Sequence, residues 1–129
     1  MRPVDAFEIC HELYQKAREV IDNRLPTIRL DSHLEAYAWK PSRADLATFA
    51  ADFALCGRRA LGDRGLASRR VLFEVYYLGG AEYHAARKHL GISEMTWSTW
   101  ADDIRYRVGR ELLRAGLFPP SKYFREPTI

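Results

Sequence analysis

The stretch Tyr83-His-Ala-Ala-Arg-Lys-His-Leu-Gly-Ile-Ser-Glu-Met-Thr-Trp-Ser-Thr-Trp100 contains a short helical pattern, a glycine and a second helical pattern. Leu90 is placed to close the first helix on its inner side, and Gly91 can adopt the left-handed backbone conformation that a tight break needs. Ile92 can fill the corner between the helices, and Ser93 is a favoured N-cap for the second one. The stretch therefore predicts a helix-turn-helix.

Apolar residues also recur at helical spacing before this motif. One stripe begins at Phe7 and continues to Ile21, which predicts a first helix that ends near Asn23. A weaker pattern over residues 31–39 predicts a short second helix. Its end is set by Lys40-Pro41, because a helix usually stops before a proline.

A capping box predicts where the third helix begins. Ser42 is a suitable N-cap, and Asp45 stands three residues later, where its carboxylate can reach back to the backbone of the cap. Apolar residues then line one face from Leu46 to Leu61. This helix should end in the glycine-containing segment 62–65.

The residues on both sides of the helix-turn-helix also favour helices. Residues 68–78 are apolar on almost every side, and their β-branched and aromatic content leaves a buried strand open, but their length and their place before Gly79-Gly80 favour a helix. The last helix should extend from Glu94 to Ala115 and stop at Gly116. After it, four apolar residues are expected to pack back onto the domain: Leu117, Phe118, Tyr123 and Phe124. We predict an all-α fold of five to six helices with a carboxy-terminal helix-turn-helix and a long last helix.

The charge is distributed unevenly along the 129 residues. Residues 1–57 carry 7 Lys or Arg against 9 Asp or Glu, whereas residues 58–129 carry 13 against 8. The change falls near the predicted break at 62–65, so we divide the chain into an amino-terminal subregion, 1–61, and a helix-turn-helix subregion, 66–129. The length suits one compact domain that contains both.

The sequence shows no pattern of a signal peptide, of a membrane-spanning helix or of functional cysteines. Acidic residues at Asp5, Glu8 and Glu12 interrupt the position where a signal peptide needs an apolar run, and no apolar run approaches the roughly 20 residues of a membrane span. We therefore expect a cytoplasmic protein. Cys10 and Cys56 are far apart and have no Cys-x-x-Cys spacing, which favours two reduced, partly buried thiols.

Catalytic and metal-binding motifs are missing as well. His11-Glu12 begins like the zinc motif His-Glu-x-x-His, but the position of the second histidine is Gln15. The other histidines have no ligand spacing, and the chain has neither a phosphate-binding glycine loop nor a Gly-x-Ser-x-Gly motif. We predict that the protein is not an enzyme and that it needs no cofactor or metal.

From about Arg69 to Leu113 the chain resembles region 4 of bacterial sigma-70-type factors and the related helix-turn-helix regulators of phages and prophages. The resemblance is carried by Leu78-Gly79, by Leu90-Gly91-Ile92-Ser93 and by Ser93-Glu94-Met95-Thr96. It covers about a third of the chain and implies that the helix beginning near Glu94 reads DNA. Two residues depart from the pattern. Arg87 occupies a position that usually holds a small residue, and Trp97 one that usually holds Val or Ile.

The outward face of the recognition helix holds the predicted base contacts, which are Glu94, Met95, Ser98 and Thr99. These side chains can touch base edges, but none is the Arg, Lys, Asn or Gln that makes the commonest bidentate contacts. Asp102 and Asp103 would repel phosphates nearby. This helix is therefore expected to bind DNA weakly by itself.

Cations around the motif supply the predicted phosphate contacts, which are Arg69, Arg70, Arg87, Lys88 and Arg110. Such contacts position a domain on DNA without reading its sequence. The alternative for these residues is a solvated charged face.

The sequence therefore favours a transcription regulator that binds double-stranded DNA with the help of a second contact, from a homodimer or from RNA polymerase. Two alternatives remain open. One is a protein-interaction module that keeps the helix-turn-helix scaffold, and the other is a DNA-recognition subunit of a phage packaging complex.

Overall fold

The computed structural model describes residues 1–23 and 42–124, and these residues form helices joined by short turns, with no strand among them. The all-α fold predicted from the sequence is confirmed. The short helix predicted at 31–39 lies outside the described residues. The elements are α1 (Pro3–Asn23), α2 (Arg43–Ala60), a 3-10 turn (Arg64–Leu66), α3 (Ala67–Leu72), a π-helical segment (Phe73–Leu78), α4 (Tyr83–Leu90), α5 (Glu94–Arg114) and a second 3-10 turn (Pro120–Tyr123).

The capping box predicted for α2 is present. The hydroxyl of Ser42 accepts a hydrogen bond from the backbone N–H of Asp45 at 3.0 Å, and the carboxylate of Asp45 accepts one from the backbone N–H of Ser42 at 3.2 Å. Each residue therefore satisfies an amide that the first turn of a helix leaves without a partner. The predicted end of α2 is also confirmed, since the helix stops at Ala60.

One hydrophobic core joins the two predicted subregions. Leu13 of α1, Phe53 of α2, Phe73 of the π-helical segment and Ile104 of α5 are each 0% exposed and belong to the same buried cluster. Helix α1 packs alongside both α2 and α5. Helices α1 and α2 therefore share one core with the helices of the predicted helix-turn-helix.

Two glycines allow helices to approach closely. A Cβ at Gly109 of α5 would collide with the backbone of Pro3, at the start of α1. A Cβ at Gly57 of α2 would collide with the ring of Phe73. A larger residue at either position would therefore force α5 away from α1, or α2 away from the π-helical segment.

The helix predicted at 68–78 has two parts. Residues 67–72 are α-helical, and the chain then widens into a π-helical segment whose last hydrogen bond joins the N–H of Gly79 to the carbonyl of Glu74 at 2.9 Å. Side chains of α1 bind the carbonyls at its end. His11 Nε2 lies 2.9 Å from the carbonyl oxygen of Tyr77, and the hydroxyl of Tyr14 donates to the carbonyl of Leu78 at 3.2 Å.

The segment after α5 returns to the core, as predicted. Leu117, Tyr123 and Phe124 are buried, and Phe118 is partly buried against the same cluster. The hydroxyl of Tyr123 donates to the carboxylate of Asp52 at 2.7 Å. This bond holds the carboxy-terminal turn against α2.

Both cysteines are buried and unbridged, as predicted. Burial raises the pKa of the Cys10 and Cys56 thiols to about 12, so they stay protonated at neutral pH. Over the part of the chain that the structure describes, no helix combines the length and the apolar character needed to cross a bilayer.

Candidate nucleic-acid interface

The turn predicted around Gly91 has the expected geometry. Gly91 adopts the left-handed conformation, with φ of 64° and ψ of 36°. Its N–H donates to the carbonyl of Lys88 at 3.1 Å, and the N–H of Ile92 donates to the carbonyl of Arg87 at 3.4 Å. This pair of bonds is the Schellman motif, which ends α4 and satisfies its last carbonyls.

The two helices on either side of the turn are both capped at their starts. Ser93 caps α5, because its hydroxyl accepts from the N–H of Thr96 at 3.1 Å. Glu82 caps α4 by accepting from the N–H groups of His84 and Ala85 at 3.0 and 3.1 Å. These amides hold the pKa of Glu82 below its ordinary value. Sequence reasoning predicted the Ser93 cap and missed Glu82, since glutamate is not among the usual N-cap residues.

Arg87 and its neighbour Ala86 differ in their burial. Ala86 is the buried residue of α4, at 1% exposed, and belongs to the hydrophobic core cluster. Arg87 is only partly buried, and its guanidinium lies 5.7 Å from the centre of the Tyr83 ring. The small buried residue of α4 is therefore Ala86, one position before Arg87.

The large Trp97 side chain packs between two tyrosine rings. The indole is 7% exposed and meets the rings of Tyr76 and Tyr83 edge to face, at 4.9 and 5.0 Å between centroids. Aromatic pairs favour this arrangement. Trp97 thus has a packing role between the π-helical segment, α4 and α5.

The four predicted base contacts all lie on the exposed surface of α5. Met95 is 80% exposed, and Glu94, Ser98 and Thr99 are exposed as well. The Thr99 hydroxyl already donates to the carbonyl of Met95 at 3.1 Å, which leaves its oxygen free to accept. The structure therefore presents these side chains together on one open helix surface.

Two of the predicted phosphate contacts are engaged inside the molecule. Arg69 forms an ion pair with Asp103, 2.9 Å from Nε to the carboxylate, and its guanidinium lies 5.6 Å from the centre of the Trp100 ring. Arg70 donates from Nη1 to the carbonyl of Leu61 at 2.6 Å. Both side chains connect α3 to its neighbours.

The other three predicted phosphate contacts are differently placed. Lys88 and Arg110 are exposed, and Arg87 is half-buried. The Arg110 guanidinium lies 5.6 Å from the centre of the Tyr106 ring, which is itself 48% exposed. Lys88 and Arg87 lie beside the turn, whereas Arg110 lies four turns along α5.

The two aspartates of α5 differ in their surroundings. The carboxylate of Asp103 pairs with both Arg69 and Arg107, at 2.9 and 2.8 Å, and is 28% exposed. Asp102 pairs with Arg105 and is 70% exposed. Asp103 is therefore balanced by two cations, and Asp102 is the carboxylate that an approaching phosphate would meet.

Helix α1 lies beside α5, a contact that the sequence does not predict. A groove separates the two, with Glu8, His11 and Gln15 of α1 on one side and Ser98 and Asp102 of α5 on the other. The exposed Glu8 adds negative charge to this flank. No local pattern signals this contact, because it joins residues about 90 positions apart.

No protein-family model, curated protein or solved structure matches the chain.

Proposed function

We propose that the protein is a cytoplasmic, DNA-binding transcription regulator whose carboxy-terminal half resembles region 4 of sigma-70-type factors. The observation that carries the proposal is the turn at Gly91, with its Schellman bonds, together with the exposed surface of α5 directly after it. In a helix-turn-helix, the second helix enters the major groove of DNA with its first residues against the bases. Helix α5 is capped at Ser93 and presents Met95 and Thr99 at that place.

The available cations suit phosphate contacts beside the turn. Lys88 is exposed at the end of α4, and Arg87 precedes it. Arg69 and Arg70 already bind Asp103 and the carbonyl of Leu61, so they contribute mainly to the scaffold. A DNA complex of one chain would thus have few phosphate contacts, and the strength of such contacts dominates affinity.

A second contact therefore forms part of the proposal. Another copy of the chain on an adjacent half-site, or RNA polymerase next to the promoter, would supply the affinity that α5 lacks. Two-fold helix-turn-helix proteins gain affinity in this way by binding half-sites one helical turn apart.

The exposed carboxylates favour a second candidate function, a protein-interaction module on the same scaffold. Asp102 is 70% exposed on α5, Glu94 is exposed at its start, and Glu8 lies across the groove. These charges repel phosphates and attract basic surfaces.

Titration of the full chain with labelled genomic fragments at several salt concentrations tests the proposal. We expect binding that weakens steeply with salt, and for Lys88→Ala a salt slope reduced by about one. Lys122→Ala is the matched control, because Lys122 lies over Tyr123 in the carboxy-terminal turn and outside the helix-turn-helix. Absence of binding even at low salt would contradict the proposal.

A further inference from the structure

The groove between α1 and α5 has the size of a ligand site. Its volume is about 450 Å³, within the range of small-molecule pockets. It is lined by residues from α1, the π-helical segment and α5. Glu8 and His11 lie on the α1 side, and Tyr76, Tyr77, Trp97 and Asp102 lie on the opposite sides.

The floor of the groove is aromatic. Tyr77 and Trp97 are each 7% exposed, so a narrow part of each ring borders the open space. Tyr76 is more exposed and meets both rings edge to face, at 5.0 and 4.9 Å. A planar group or a cation is favoured beside such rings.

His11 adds no charge to the lining. Its Nε2 lies 2.9 Å from the carbonyl of Tyr77, and because a carbonyl only accepts, Nε2 carries the proton. Burial lowers the pKa of His11, so the ring is neutral at pH 7 and its Nδ1 keeps a lone pair. Phe7 stacks on the ring at 5.4 Å and holds it in place.

The rim carries more negative than positive charge. Glu8 and Asp102 are exposed carboxylates on opposite sides of the groove. Arg105 is the cation of the lining, and its guanidinium pairs with Asp102. Arg2, whose charge also acts on the Glu8 region, is bound to Asp5 at 2.8 Å.

We propose that this groove binds a guanidinium group, with the cation between the Glu8 carboxylate and the Asp102 oxygen that Arg105 does not bind, and with its plane beside Tyr76, which is more exposed than Tyr77 and Trp97. A guanidinium suits this lining better than an ammonium, because it is planar, weakly hydrated, stacks on aromatic rings and offers several N–H donors to carboxylates. Gln15 and Ser98 provide further acceptors. The proposal does not rest on DNA binding.

The test is a titration of the isotope-labelled full chain, followed by NMR through the amide and indole N–H signals. The probe is N-acetyl-arginine amide, and its neutral control is N-acetyl-citrulline amide, which has nearly the same shape. The arginine probe should shift the Trp97 indole and the Ser98 amide, and the citrulline probe should bind measurably more weakly. Equal binding of the two probes, no shift, or shifts confined to other parts of the chain would each overturn the proposal.

Two variants locate the charge. Glu8→Gln should weaken binding of the arginine probe about twofold to fivefold, the range of exposed ion pairs. Glu19→Gln removes an exposed carboxylate from the same helix outside the groove and should leave the affinity unchanged. Equal effects of the two variants would mean a general charge effect and would contradict the site.

A peptide arm distinguishes the two sources of a guanidinium. If Ac-Gly-Gly-Arg-Gly-Gly-amide binds at the same residues as the arginine probe, the groove can receive an arginine of another polypeptide. If only N-acetyl-arginine amide binds, the ligand is a small molecule. Either result supports a guanidinium site.

Discussion

His11 donates a hydrogen bond from Nε2 to the carbonyl oxygen of Tyr77, 2.9 Å away, and thereby ties α1 to the end of the π-helical segment. The two residues are 66 positions apart, and Phe7 and Tyr77 contact the imidazole at 5.4 and 5.2 Å. A neutral histidine satisfies this position, whereas a charged one is penalised by burial.

Stability should consequently fall in mildly acidic solution. Because burial lowers the pKa of His11 in the folded chain below the ordinary value of 6.5, the unfolded chain binds the proton more strongly. The free energy of unfolding should therefore decrease as pH falls from about 6.5 towards the lower folded pKa. Urea unfolding at a series of pH values from 8 to 5 measures this loss.

His11→Gln is the variant that tests the assignment. Glutamine keeps a donor and does not titrate, so the loss of stability between pH 7 and 5 should be smaller than in the natural protein. Glu74 and Glu82 also have lowered pKa values. Because carboxylates bind protons at lower pH than histidine does, their effect on the free energy of unfolding falls at lower pH. If both proteins lose equal stability over this interval, His11 is not the responsible group.

Substitution of Gly109 by alanine should be strongly destabilising. The added Cβ would collide with the backbone of Pro3, which cannot rotate away as a side chain can. We expect a loss of about 1–3 kcal/mol or more in the free energy of unfolding. Gly65→Ala is the matched control, since a Cβ there meets nothing within 4 Å. A similar loss in both variants would contradict the close approach of α1 and α5.

Gly91→Ala should weaken the turn of the helix-turn-helix. At φ of 64° a side chain is strained, and the cost is about 1–2 kcal/mol for an ordinary residue. Gly91→Asn should cost less, because asparagine tolerates the left-handed conformation. Thermal unfolding of the two variants gives the comparison. Equal stabilities would mean that the turn relaxes to another geometry.

Asp102→Asn should raise the affinity for DNA. The substitution removes an exposed carboxylate from the surface of α5, where it would repel phosphates. We expect an increase of about twofold to fivefold at low salt that disappears as salt is added. Fluorescence anisotropy with a labelled duplex measures it, with Asp22→Asn on α1 as the control. A decrease for Asp102→Asn would indicate that its carboxylate contacts a base.

Features encoded within a few neighbouring residues were predictable from the sequence. The Ser42 and Asp45 capping box, the turn at Gly91 and the Ser93 cap depend on local backbone chemistry, and all three are present. The exposure of Met95 followed from helical periodicity in the same way.

Features that join distant residues were not predictable. The double pairing of Asp103 depends on Arg69, 34 positions earlier, and periodicity does not indicate which helix faces which. The groove likewise exists only because α1 packs against α5. The amphipathic pattern of α1 does not indicate this partner, since it fits several helices equally well. Arg70, a predicted phosphate contact, also donates to the carbonyl of Leu61, a bond that helical periodicity does not indicate.

The π-helical segment also sets the rotation, about the helix axis, of the chain after Leu78 relative to α3. A π-helical turn accommodates about one residue more than an α-helical turn, and each residue of an α-helix advances the chain by about 100°. Deleting one residue within Phe73–Leu78 would therefore let the segment close into an ordinary helix and rotate Gly79 with respect to α3. The number of residues in this segment therefore helps to set the direction in which the chain leaves α3 towards α4 and α5.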